Sequence, residues 1–375
     1  MSALAEWLGA QAPGYACTHA ISPAQRRALA AIARCRTPEM GGRVYRCAHC
    51  TKHDFAYHSC HHRSCPRCGG ARTAAWTQRQ RDRLLPVPYF MVTFTLPAPL
   101  RAIFAAEPKV MIDLLFGESA RALQTIASLP KHLGADLGMT GVLHTWGRQM
   151  QLHPHVHFIV PGGGLAEDGT AWRHTRKPEW LVPSAPVAAR FRQGMAAALR
   201  VALPGRHAQV PDSCWRQPWV VDIQHVGSGE AAIKYLARYV QRTAISDERI
   251  RTMDAKTVRF GYRDSASGEH KECTLDAAEF MRRYLQHVLP TGVHRVRHFG
   301  WEHPAAWRRR RVVETLLAVE IVVRPKQAEV DPENWTCGKI KFKRSPTCRK
   351  NDVHSVPSSR RRWGWKPSKE SSRSM

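Results

Sequence analysis

The run Gln151-Leu-His-Pro-His-Val-His-Phe-Ile-Val-Pro-Gly-Gly-Gly164 constrains this chain more than any other stretch. On an extended strand, residues two apart project from the same face. His155 and His157 would therefore point together from a sheet, with Cα atoms about 7 Å apart. Two imidazoles placed in this way suit joint ligation of one divalent cation. The apolar residues Phe158, Ile159 and Val160 continue the strand, and the glycines at 162–164 end it.

Neighbouring segments supply the rest of a sheet. Pro88 to Pro97 is rich in aromatic and β-branched residues and reads as a buried strand. Residues 99–129 have apolar positions recurring at three and four, as in a helix. Met139 to Trp146 reads as a second strand, which forms a hairpin with the His155 strand across the turn at 147–154. His144 on its first arm is then a candidate third ligand, with Gln149, Gln151 and His153 as fallbacks. The alternative there is a core or hydrogen-bonded histidine. An alanine-rich helix over 184–203 and a strand over 217–224 follow.

Gly227-Ser-Gly229 introduces a helix from Glu230 to about Arg242. Tyr235 and Tyr239 share one face of it at i and i+4. Lys234, Arg238 and Arg242 lie beside them at helical spacings. An aromatic pair at this spacing is more often core than catalytic. The flanking cations and the upstream histidine pair shift the reading to a tyrosine nucleophile that cuts single-stranded DNA. Residues 275–289 predict a further helix, and the arginine-rich stretch 307–311 begins or crosses another. The expected fold is α+β: a central antiparallel sheet with helices on one face.

Six cysteines fall between Cys35 and Cys68, at 35, 47, 50, 60, 65 and 68. Cys47-Ala-His-Cys50 and Cys65-Pro-Arg-Cys68 are two C-x2-C knuckles, a strong zinc signal. Cys47, Cys50, Cys65 and Cys68 are the expected ligands. Cys35 and Cys60 could hold a second ion with His58, His61 or His62, or be packed thiols. A module this small, with few large aliphatics, needs the metal to fold. Ser22 caps a predicted helix that begins with Pro23.

The chain carries 57 Lys and Arg against 30 Asp and Glu, a formal charge of +27, which predicts a nucleic-acid partner. No apolar stretch reaches the roughly 18–20 residues of a membrane span. The N-terminus lacks the features of a secretory signal. Three segments are expected: a helix and zinc-binding, DNA-recognition module at 1–80, a catalytic domain at 81–320, and a basic tail at 321–375. In that tail, Arg360-Arg-Arg-Trp-Gly-Trp-Lys366 interleaves tryptophan with cations.

These pieces together resemble the HUH transposases of rolling-circle insertion sequences, the insertion sequence ninety-one family. The resemblance rests on Ser64-Cys-Pro-Arg-Cys68, Leu85 to Pro97, Pro130-Lys-His-Leu-Gly134 and Leu143-His-Thr-Trp-Gly147. It continues through His153-Pro-His-Val-His157, Val160 to Gly164, Tyr235-Leu-Ala-Arg-Tyr239, Arg242 to Ser246, and Arg295-Val-Arg-His-Phe-Gly300. It covers roughly residues 20–320 and implies an HUH-endonuclease palm. It also implies His155 and His157 as ligands of a catalytic Mg²⁺ or Mn²⁺, Tyr235 and Tyr239 as nucleophiles, and a structural Zn²⁺.

The implied reaction is metal-assisted transesterification of single-stranded DNA at element ends and target, through a 5′-phosphotyrosine. The implied setting is bacterial, cytoplasmic and nucleoid-associated. The chain departs from the family pattern at Arg43 and Ser64, where histidine is common. It departs again at Cys337 and Cys348, which do not form a C-terminal knuckle. Two rival readings are a plasmid rolling-circle replication initiator and a decayed, non-catalytic zinc-dependent DNA-binding protein.

Overall fold

The computed structural model describes residues 2–47, 53–68, 70–240, 243–264, 266–318 and 353–355. In chain order the elements begin with α1 (Ala3–Thr18), α2 (Pro23–Arg34), β1 (Gly42–Cys47), β2 (His53–Tyr57) and α3 (Gly70–Arg81). There follow β3 (Tyr89–Thr95), α4 (Leu100–Ala106), α5 (Pro108–Ala127), β4 (Gly138–Trp146), β5 (Leu152–Pro161), β6 (Gly163–Leu165) and β7 (Trp172–His174). Next come α6 (Ser184–Ala202), the short α7 (Pro204–His207) and α8 (Asp212–Arg216), β8 (Val221–His225) and α9 (Glu230–Val240). The last are β9 (Ile250–Met253), β10 (Thr257–Arg263), β11 (His270–Asp276), α10 (Ala277–Leu285), β12 (Val296–Gly300), α11 (Trp307–Leu316) and β13 (Val353–Ser355).

The chain divides into two compact units, residues 1–33 with 60–322, and residues 34–59 with 323–375. In the second unit β1 pairs antiparallel with β2 and with β13. The rest of the basic tail, including Cys337, Cys348 and the run from Arg360 to Lys366, lies outside the described residues.

The first unit is built on a five-stranded sheet in the order β12-β4-β5-β3-β8, antiparallel throughout. The fold is thus α+β with a central antiparallel sheet, as the sequence predicts. Helices, however, cover both faces rather than one. Alternation sets the layers. Val156, Phe158 and Val160 of β5 join Phe94 of β3, Phe116 of α5 and Phe191 of α6 in one core. Phe94 meets Phe158 and Phe191 edge-on, with centroids 5.8 and 5.0 Å apart. Ile159 of β5 and Val142 of β4 face the other way, into a cluster with Trp76 of α3, Ile233 and Leu236 of α9, and Trp301. A strand buried on both sides has to be apolar almost throughout, so the three histidines near one end of this sheet stand out.

Local signals explain the boundaries. Ser22 and Gln25 form a reciprocal capping pair before α2: Gln25 N donates to Ser22 Oγ (3.3 Å) and Ser22 N to Gln25 Oε1 (2.8 Å). On α9, Ala232, Ile233, Leu236, Ala237 and Val240 are buried, a helical stripe that leaves Lys234 and Tyr235 outward. The glycine run after β5 serves close backbone approach. A Cβ on Gly164 would lie 2.6 Å from the Asp136 carbonyl oxygen. At Gly300, φ is +60° and a Cβ would lie 1.8 Å from the Leu137 carbonyl oxygen, so only glycine fits where β12 ends. No helix among the described residues is long and apolar enough to cross a membrane.

Candidate active site

Register brings the histidines together. β4 and β5 pair so that His144 lies opposite His155, and His157 is two residues further along β5 on the same face. One ring nitrogen from each of His144, His155 and His157 falls within 4.8 Å of the others. All three side chains are buried. Nδ1 of His144 and Nε2 of His155 approach to 2.9 Å. Nδ1 of His155 bonds to the carbonyl oxygen of His153 at 2.7 Å. An acceptor there calls for a proton on Nδ1 and leaves the Nε2 lone pair to face the cluster.

His157 is oriented from the other neighbouring strand. Thr93 of β3 lies opposite it in register, and its hydroxyl is 2.9 Å from His157 Nδ1. With Thr93 Oγ accepting from Nδ1–H, the Nε2 lone pair of His157 points inward. That Nε2 is buried and has no hydrogen-bond partner among the described residues. A buried lone pair without a donor is costly unless something else occupies it. Three imidazoles so oriented fit a divalent cation with positions left open for oxygen ligands.

Burial also sets the protonation of these groups. Desolvation lowers the His155 pKa to about 3, with the neighbouring His157 adding to the effect, and lowers the His157 pKa to about 4. His144 is driven well below 6.5, first by burial and then by His155 and His157. Nearby His287, fully enclosed, falls to about 4 by burial; its Nδ1 bonds to Thr145 Oγ1 at 3.1 Å. All four are therefore neutral at pH 7, the form in which imidazole binds metal.

In the folded protein these pKa values lie below the unfolded value of 6.5. Above pH 6.5 they contribute no pH dependence. Below it, the unfolded chain takes up protons that the folded one refuses, so stability falls as pH drops toward 4. For His155, His157 and His287 together the slope approaches about 4 kcal/mol per pH unit. In metal-free protein the denaturant midpoint should hold flat from pH 8 to 7 and fall steeply below 6.5. His287→Gln should shallow that fall by about a third; an unchanged slope would rule out a neutral buried His287.

The tyrosine helix crosses the same face. Tyr235 of α9 stands with its ring centroid 6.0 Å from that of His157, the planes at 90°. Tyr235 is 39% exposed, so the phenol borders both the imidazole cluster and solvent. Lys234 is exposed and pairs with Glu230 at 3.8 Å, one turn earlier. Tyr239 and Arg238 lie on α9, but their side chains, like Arg242, are outside the described residues. The fallback His153 bonds through Nδ1 to Arg101 at 3.2 Å and is not part of the imidazole cluster. Thr93 carried no local signal; it is a polar residue alternating with Val92 and Phe94, and its role emerges only from strand pairing.

Of the cysteines, Cys60, Cys65 and Cys68 come together in the first unit, with ligand atoms within 4.8 Å of one another. Cys60 Sγ and Cys68 Sγ are 3.8 Å apart. The knuckle turn is closed by Cys68 N donating to the Cys65 carbonyl at 3.1 Å. Cys35 is buried and belongs to the second unit. The Cys47 side chain and Cys50 lie outside the described residues.

Two family models match the chain. Residues 138–310, which carry the histidines and Tyr235, match the family described as "Putative transposase". Residues 8–96 match the "Transposase zinc-binding domain". The "Putative transposase y4qJ" of Sinorhizobium fredii is 38% identical over 299 residues, 75% of this chain and 75% of the relative. The chain belongs to this transposase family. A second relative, the "Transposase for insertion sequence element IS801" of Pseudomonas savastanoi pv. phaseolicola, is 30% identical over 287 residues, 71% of this chain and 67% of the relative. No solved structure matches the chain. As a transposase, this protein has DNA as its substrate, and its N-terminal region is a zinc-binding domain.

Proposed function

We propose that this transposase nicks and rejoins single-stranded DNA in rolling-circle transposition, using Tyr235 as nucleophile beside a divalent ion held by His144, His155 and His157. One observation carries the reading: an accessible phenol borders a buried cluster of three neutral imidazoles. The ion, when bound, would supply positive charge at the phosphoryl oxygens. Mg²⁺ prefers oxygen ligands, so the all-nitrogen donor set makes Mn²⁺ the stronger candidate of the two.

Tyr235 Oη attacks phosphorus as its proton leaves. The Oη–P bond forms and the P–O3′ bond breaks, and the departing O3′ takes up a proton. The product is a 5′-phosphotyrosine and a free 3′-hydroxyl. Because the phosphodiester energy is retained, rejoining needs no nucleotide cofactor. Tyr239, one helical turn on, is the proposed second nucleophile that allows strand exchange. Lys234, Arg238 and Arg242 are the proposed strand-holding cations. For the structural Zn²⁺ we assign Cys60, Cys65 and Cys68 as thiolate ligands within the first unit.

Covalent capture tests the proposal. Purified protein is incubated with Mg²⁺ or Mn²⁺ and labelled single strands from the DNA flanking its gene, then denatured. A metal-dependent protein–DNA band is expected. Tight binding with no band under either metal would refute the catalytic reading.

Thr93 gives a second check. Thr93→Val should weaken Mn²⁺ affinity, read by calorimetry, about tenfold or more, because His157 loses the partner that sets its tautomer. Thr93→Ser should restore it. Equal affinity in all three proteins would remove Thr93 from the site.

A further inference from the structure

The outer edge of the catalytic sheet carries a second feature. Among the described residues β12 pairs only with β4, and its open side looks onto a groove of about 990 Å³. His294, Arg297, His298 and His303 line it, with Asp113 and Gly117 of α5 opposite. Asp113 is the one carboxylate among the lining residues, and Arg297 Nη2 engages it at 2.5 Å. The groove therefore holds no uncompensated negative charge.

The groove extends to Ala306, and α11 begins at the next residue. Trp307 there is 56% exposed, well beyond what a core-packing indole shows. The Arg308 guanidinium lies 5.4 Å from the centroid of its ring. Arg311, also exposed, follows one helical turn after Trp307. The arginines of this helix divide sharply by function. Arg309 is engaged by Asp136 at 2.6 Å, and buried Arg310 by Glu302 and Glu314. Arg308 and Arg311 have no carboxylate partner among the described residues. An exposed indole beside two uncompensated guanidiniums is suited to an unstacked base and its phosphates. In a duplex the base faces are already covered, so the fit is to a single strand.

We infer that the β12 groove and the first turn of α11 form a single-strand-binding surface outside the cleavage site, with a base stacked on Trp307 and phosphates on Arg308 and Arg311. This rests on the reading that single-stranded DNA is the substrate. The topology suits it. β12 is hydrogen-bonded to β4, Val296 opposite Val142, and β4 is the strand that bears His144. A strand held in the groove thus lies against the sheet that carries the metal cluster.

The test is fluorescence anisotropy with a labelled single-stranded oligonucleotide, in Tyr235→Phe protein without divalent metal so that nothing is cleaved. Adding Trp307→Ala should weaken binding about tenfold, the loss of one base stack, and Trp307→Phe should recover most of it. Arg308→Ala with Arg311→Ala should lower the slope of log affinity against log salt by about 1.4, at roughly 0.7 per phosphate on a single strand. The thermal midpoints should not move, since these side chains are exposed. Unchanged affinity on Trp307→Ala, with the parent binding well, would overturn the surface alone. An equal loss for a duplex of the same sequence would overturn its single-strand character. If the parent binds no single strand at all, the proposed substrate falls together with this surface.

Discussion

Tyr235→Phe is expected to lower covalent capture of single-stranded DNA by at least about a thousandfold, while leaving affinity for the same strand within about twofold. The substitution deletes one oxygen. The ring can keep its perpendicular packing on His157, and the side chain is already 39% exposed, so neither the fold nor the imidazole cluster should shift. What is lost is the atom that attacks phosphorus, and such losses fall on the chemical step rather than on binding. The readouts are therefore the denaturation-resistant band and, separately, the anisotropy titration. Tyr239→Phe supplies the contrast. If Tyr235 acts first, Tyr239→Phe retains the initial covalent species and loses only strand exchange. The reverse pattern would transfer the first attack to Tyr239. A full band in the double variant would remove tyrosine from the mechanism.

The imidazole cluster and the helix of Tyr235 were largely legible in the sequence because their residues lie on regular elements. The period-two spacing of His155 and His157 needs only the geometry of a strand, and the hairpin places His144 opposite His155 through one short turn. Tyr235 sits on a helix whose apolar stripe is plain in the sequence. Contacts between distant strands were not legible. Thr93 reaches His157 across 64 residues of chain, and nothing local distinguishes it from the neighbouring Thr95. β12 shows no strand signal in the sequence, since Val296-Arg-His-Phe-Gly300 lacks the burial of a central strand; it is the sheet's edge. β9, β10 and β11 escaped for a similar reason, as their outer positions are mostly polar. α1 was hidden by Pro13 within it. Among the thiols, the Cys65–Cys68 knuckle is a local signal, whereas the approach of Cys60 to Cys68 is tertiary and carries no spacing signature.

Removing zinc is expected to lower the thermal midpoint by about 10 °C or more, and to do so in a single transition that includes the five-stranded sheet. Structural zinc commonly contributes on the order of 10 kcal/mol, and its thiolates must be held deprotonated by the ion. Here the hydrogen bond to Cys68 and burial push the Cys65 thiol well above its ordinary value, so without metal the group is protonated and the tetrahedral closure is lost. The knuckle is also tied to what surrounds it. Arg63 donates to the carbonyls of Val293 (2.7 Å) and Pro290 (2.9 Å), and Tyr284 Oη donates to the Ser64 carbonyl at 2.5 Å. Arg67 pairs with Glu6 of α1 at 3.1 Å. Loosening the knuckle therefore withdraws support from α10 and from the segment leading into β12. A chelator would also strip the histidine cluster, so the discriminating step is add-back: Zn²⁺ should restore the midpoint and Mg²⁺ should not. Cys65→Ser should reproduce the loss without chelator and bind less zinc per chain. A midpoint unmoved in protein shown to be zinc-free would mean that this module folds on its apolar contacts alone.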